Sequence, residues 1–137
     1  MVHALKKVHR LLSKGGLLSE VHDEPVSPSL ALEFQDQIID VGLLHDSEKF
    51  QEVRQANEAV EEVIGCHLFE RFDFQVMPYQ IHIDSLDSYD EWMERQWDTT
   101  FLDSTVETYI RESMSLNGSA KRVIVSRVAQ ATILKSR

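Results

Sequence analysis

Glu20, His22, Asp23 and Glu24 put three carboxyl groups and one imidazole within five consecutive residues, the densest set of proton-transferring groups in the chain. They follow the apolar run Leu17 to Val21 and are closed off by Pro25 and Pro28. If that run is a strand of an open α/β sheet, its carboxyl end is where such sheets hold ligands. These residues are therefore the best-placed polar group for touching a substrate. A second contribution comes from His82, which could approach His22 if their strands are neighbours, and from Tyr79, which could help to line an apolar pocket. None of the six histidines shows the H-x-x-x-H or H-E-x-x-H spacing that sets two imidazoles on one helical face, so no metal site is assigned. There is no G-x-S-x-G elbow either. The single cysteine, Cys66, allows neither an internal disulfide nor a cysteine-based zinc site, and no residue is assigned as catalytic.

The elements that must position these groups can be read from periodicity. Val2, Leu5, Val8 and Leu12 recur at helical spacing, Lys14 complements the carbonyl end, and Gly15-Gly16 stops the helix ahead of Leu17 to Val21. Leu30 to Phe34 and Ile38 to Leu44 read as a hairpin around Gln35-Asp36-Gln37, with Gly42 weakening its second arm. Phe50, Val53, Ala56, Asn57, Val60, Val63 and Ile64 mark one face of a helix from Ser47 to Ile64, with Gly65 as its stop. Leu68 to Ile83 is a long strand interrupted by a bulge at Met77-Pro78. Ser88 with Glu91, and Ser104 with Glu107, read as capping boxes for two further helices; the first bears Tyr89, Trp92, Met93, Gln96 and Trp97. Lys121 to Leu134 is apolar on both faces and so reads as a central, doubly covered strand.

At 137 residues this is one domain, 1–137, long enough to bury about two thirds of its unfolded surface. No run approaches the roughly 18 apolar residues of a membrane span, and the N-terminus lacks a secretory signal, which together point to the cytoplasm. All 23 acids lie between Glu20 and Glu112, while the ends are basic: Lys6, Lys7, Arg10 and Lys14 before them; Lys121, Arg122, Arg127, Lys135 and Arg137 after. A net charge of −9 repels phosphate and neither end carries aromatic side chains, so nucleic acid is disfavoured as a partner. The simpler expectation is that basic ends pack beside the acidic middle.

The stretch from Ala4 to His22, with its Arg10-Leu11-Leu12-Ser13-Lys14-Gly15-Gly16 ending, resembles the fourth helix and fifth strand of class I S-adenosylmethionine-dependent methyltransferases. The later order of apolar strand, substrate-side helix and long last strand is similar to the family's C-terminal half. The resemblance implies an α+β fold with a small mixed sheet, a partial Rossmann-like half whose C-terminal strand lies antiparallel to Leu17 to Val21, with Phe72 to Ile83 on its other side. Helices Val2 to Leu12 and Ser47 to Ile64 would cover it.

It also implies a missing half. The family's cofactor grip, a Gly-rich turn and an acidic strand end, would precede Met1, and the five glycines here form no G-x-G-x-x-G. The implied function is a methyltransferase-related, non-catalytic, self-associating or interaction module without a cofactor of its own. The alternative is the substrate-side subunit of a split methyltransferase. A methyltransferase partner chain would then supply S-adenosylmethionine, and Glu20, His22, Asp23, Tyr79 and His82 would touch substrate. The strand Leu17 to Val21 would lack a neighbour, which implies a homodimer burying part of Trp92, Trp97 or Tyr109.

Overall fold

A computed structural model of the chain describes residues 1–96 and 99–137. Trp97, expected on the Ser88 helix and at a dimer contact, lies outside the described residues. The elements run α1 (Val2–Leu11), β1 (Leu17–Asp23), β2 (Ser29–Glu33), β3 (Ile38–Leu43), α2 (Ser47–Gly65), β4 (Phe69–Ile83), α3 (Leu86–Glu94), α4 (Ser104–Met114) and β5 (Arg122–Ser136). The strands form one sheet in the order β1-β5-β2-β3, with β4 also pairing β5.

The Rossmann-like mixed sheet is not what forms, because each registered pair on that path, β1 with β5, β5 with β2, and β2 with β3, is antiparallel. Residues 34–37 join β2 to β3, too few for the crossover of about a dozen residues or more that a parallel pair needs. β1 and β2 do not pair with each other: both pair antiparallel with β5, along its residues 129–135 and 122–126, so residues 24–28 join two strands that run in the same direction. The fold is α+β with an antiparallel sheet, and the helices lie outside the β1–β2–β3 run.

The chain divides into two compact units, and β4 and β5 each give one half to either. The first comprises Met1–Pro25, Lys49–Met77 and Val128–Arg137. Its core is Leu5, Ala59, Val60, Val63, Phe69 and Leu134, so α1 and α2 pack their apolar stripes on one face of the β1–β5 pair. That pair is clamped at its start: Gly15, in the left-handed region at φ 80°, donates its N–H to the Ser136 carbonyl, and Ser136 donates back to Gly16. Helix α2 runs one residue past Ile64, and its stop is His67 rather than Gly65. His67 sits at φ 56°, Cys66 and His67 donate to Glu62 and Ile64, and Leu68 donates to Val63.

The second unit comprises Val26–Glu48 and Pro78–Arg127. Its core is built on Leu30, Leu32, Val123 and Val125 of the sheet, with Tyr89 from α3 and Ile110 from α4. The hairpin forms with a register shift between Leu30 and Ala31. Gly42 is needed there: a Cβ would stand 2.9 Å from the Val106 side chain of α4. The two capping boxes do not form as read. The cap of α3 is Ser85, whose hydroxyl accepts from the Ser88 N–H at 3.1 Å, and Asp103 at the α4 N-cap makes no side-chain cap bond. β4 continues unbroken from Phe69 to Ile83, and the boundary between the units falls at Met77 and Pro78.

Candidate functional site

The register of the first unit determines which polar groups meet. Glu20 stands opposite Thr132 and His22 opposite Gln130. Cross-strand partners share a face, so these four side chains continue the row begun by Leu18 and Leu134. Thus one sheet face is apolar at its beginning and polar toward the carboxyl end of β1. Helix α2 packs on that face, and Asn57 stands on the same helical stripe as buried Val53 and Val60.

The resulting cluster is tightly connected. His22 Nε2 lies 3.3 Å from Glu20 Oε1 and 3.0 Å from Gln130 Nε2, and Gln130 Nε2 donates to Asn57 Oδ1 at 2.6 Å. His22 Nδ1 is 2.8 Å from the Asp23 carbonyl oxygen, which can only accept, so Nδ1 carries the hydrogen. In the neutral ring Nε2 is then an acceptor and takes the second Gln130 N–H. Burial raises the Glu20 carboxyl above the ordinary value of 4.5, and His22 draws it part of the way back. Its Oε2 is buried without a hydrogen-bond partner among the described residues. Glu20 and His22 thus stand side by side as a carboxyl and an imidazole within contact distance.

Beside this pair lies a recess of about 320 Å³ lined by Asn57, Val60, Glu61, Arg71, Phe74, Gln130 and Thr132. Gln130 belongs to both the cluster and the recess, and it is only 9% exposed. Asn57 and Gln130 supply amide donors and acceptors beyond the bond they make with each other. Phe74 gives a half-exposed aromatic wall, and Arg71 is ion-paired with Glu61 at the rim.

The residues singled out from the sequence have different fates. Glu20 and His22 come together. The Asp23 carboxylate pairs with Lys49 Nζ at 3.0 Å, and the Glu24 N–H donates to the Val128 carbonyl at 2.7 Å. Tyr79 and His82 belong to the second unit, where His82 Nδ1 faces Arg122 Nη1 at 3.1 Å and Nε2 faces Gln80 Oε1 at 3.3 Å. Among the described residues no group of three or more His, Cys, Asp or Glu is placed to hold a metal ion. Sequence reasoning missed Gln130, Thr132, Phe74 and Arg71 as site residues. Two signals were present: Asn57 interrupts an apolar helical stripe, and Gln130 interrupts an apolar strand on the same face as Val128, Thr132 and Leu134.

Compared with protein-family models, with curated proteins and with solved structures, the chain finds no match. Together with the antiparallel sheet, this overturns the resemblance to class I methyltransferases. The methyltransferase-related function, its split-enzyme alternative included, and the tie to S-adenosylmethionine chemistry fall with it. Among the described residues no helix is long and apolar enough to cross a membrane.

Proposed function

We propose that the first unit is a binding module for a small planar polar molecule, held in the recess between α2 and the sheet. The observation that carries this reading is Gln130: a buried amide that joins the Glu20–His22 pair to the wall of a cavity. A volume of about 320 Å³ lies at the small end of ligand sites, which range over roughly 300–1,000 Å³. Phe74 offers a ring to stack on, and the Asn57 and Gln130 amides offer paired donors and acceptors of the kind that read the edge of a heterocycle or a carboxamide. His22, held between Glu20 and Gln130, helps to set the orientation of the Gln130 amide. A cytoplasmic setting accords with Cys66, an exposed lone thiol suited to a reducing compartment.

Calorimetric titration with nicotinamide, uracil and adenine tests the reading. Saturable binding of at least one, abolished by Gln130→Leu in a variant that retains its circular dichroism spectrum, is the expected result. Binding of none, or equal binding by the variant, would overturn it.

A further inference from the structure

We infer that β1 is a self-association strand, which pairs antiparallel with β1 of a second copy of the chain about a two-fold axis at Ser19. The inference rests on the two alternations of β1, which coincide. The Glu24 N–H bonds to Val128, and Ser136 bonds to Gly16, so even-numbered residues aim their backbone groups at β5. In an antiparallel ladder the intervening residues Leu17, Ser19, Val21 and Asp23 aim theirs the other way. The path β1-β5-β2-β3 has β1 at its end, and among the described residues that second row meets no strand. The side chains of the same residues stand on the face opposite α2, and Leu17 is 55% and Val21 59% exposed. Phe72 of β4, 61% exposed, contacts the Lys135 ammonium, and Lys135 is the cross-strand partner of Leu17.

An open edge of this length selects a strand as its occupant. The sequence along it selects a second copy. Pairing about Ser19 sets Leu17 against Val21 of the other molecule and Val21 against Leu17, so the apolar strip matches itself. Pairing about Glu20 would instead set that carboxyl against its own copy. The strand's two acids, Glu20 and Asp23, are engaged inside the unit by His22 and Lys49. The edge therefore brings no uncompensated like charge to the axis. It also carries no lysine or proline of the kind that blunts edges; Pro25 comes only after the strand has ended. The strip is isologous, using the same patch on both molecules.

Sedimentation equilibrium of the whole chain between 1 and about 100 μM tests this. A mass rising to twice 15.8 kDa is expected for the native protein. Ser19→Lys puts two ammonium groups at the axis and is expected to weaken association at least tenfold with circular dichroism unchanged. Should that variant fail to fold, Val21→Thr reads the same contact and is expected to weaken it in the same direction. A native chain that stays at 15.8 kDa overturns the inference, as does a dimer that folded Ser19→Lys or Val21→Thr leaves equally tight.

Discussion

Two buried oxygens show how the local environment, rather than residue type, assigns the chemistry. The Glu20 carboxyl is raised above 4.5 by burial first, with His22 opposing. From about pH 4.5 upward the unfolded chain has released this proton while the native state still holds it. Stability from this group is therefore complete below that pH and is lost as the pH rises through the folded value. Glu20→Gln removes the titration and is expected to flatten this part of the profile, so that relative to the native protein the variant fares better at pH 8 than at pH 4. Urea denaturation at both pH values checks it, and a variant weakened more at pH 8 than at pH 4 would contradict the sign. The second oxygen is Tyr89 Oη, buried and without a partner among the described residues. Burial, helped by Glu107 and Asp90 and opposed by Arg111, pushes its pKa up to about 12 from 10.0. Its contribution is intact below pH 10 and lost as the pH rises through about 12. Tyr89→Phe keeps the ring beneath Arg111 and drops a desolvated hydroxyl, so calorimetry is expected to find it neutral or stabilising by up to about 1 kcal/mol. A loss larger than that would mean the hydroxyl is satisfied. The sequence made Glu20 and His22 visible because they lie two positions apart in the chain. It marked Gln130 only as a polar break in an apolar strand and could not show that it meets His22, 108 positions away and only through the β1–β5 register.

At the scale of elements, most boundaries are legible because period and punctuation agree, and the errors fall where the backbone overrides them. Gly65 looked like a helix stop, yet α2 includes it and a Cβ there would meet nothing within 4 Å. His67 instead takes the left-handed position that glycine prefers. Gly65→Ala and His67→Gly are each expected to stabilise by roughly 0.5–1 kcal/mol, read as a rise in melting temperature. Gly42, which by propensity weakens its strand, is a close-packing point. Gly42→Ala drives a Cβ into Val106 and is expected to cost about 1–3 kcal/mol, which Val106→Ala in the same chain should partly restore. A tolerated Gly42→Ala would mean that α4 gives way. Ser85 and Asp103 displaced the caps expected at Ser88 and Ser104, because the S-x-x-E spacing occurs one turn or one residue beyond the helix start. β5 was read as doubly covered; that holds for Val123, Ile124 and Val125, whereas past Val128 only Gln130, Thr132, Leu134 and Ser136 are buried.

At the scale of the whole molecule, the charge segregation along the chain is used within each unit. Lys6 pairs with Glu62, and Lys135 and Arg137 share Glu70; in the second unit Arg122 reaches Glu33 and Asp84. These pairs are largely exposed and contribute little each. The net charge of −9 has a larger effect on association: two copies repel at long range, so raising salt from 0.02 to 0.3 M is expected to tighten the β1 dimer severalfold in sedimentation experiments. Dimerisation weakened by salt would mean that ion pairs hold it. The class of fold was the part least legible in the sequence. Strand and helix lengths alone do not distinguish an antiparallel sheet from a parallel one, and the pairing of β5 with β1 and β2 joins residues far apart in the chain that no local pattern marks. The central claim, that Gln130 couples the Glu20–His22 pair to a ligand recess, is read most directly from its side-chain amide by ¹H–¹⁵N NMR. On adding nicotinamide, uracil and adenine in turn, at least one is expected to shift the Gln130 and Asn57 amide pairs saturably while that of Gln80, in the second unit, stays in place. Gln130 and Asn57 signals unmoved by all three at high concentration, or equal drift of all three amide pairs, would contradict it.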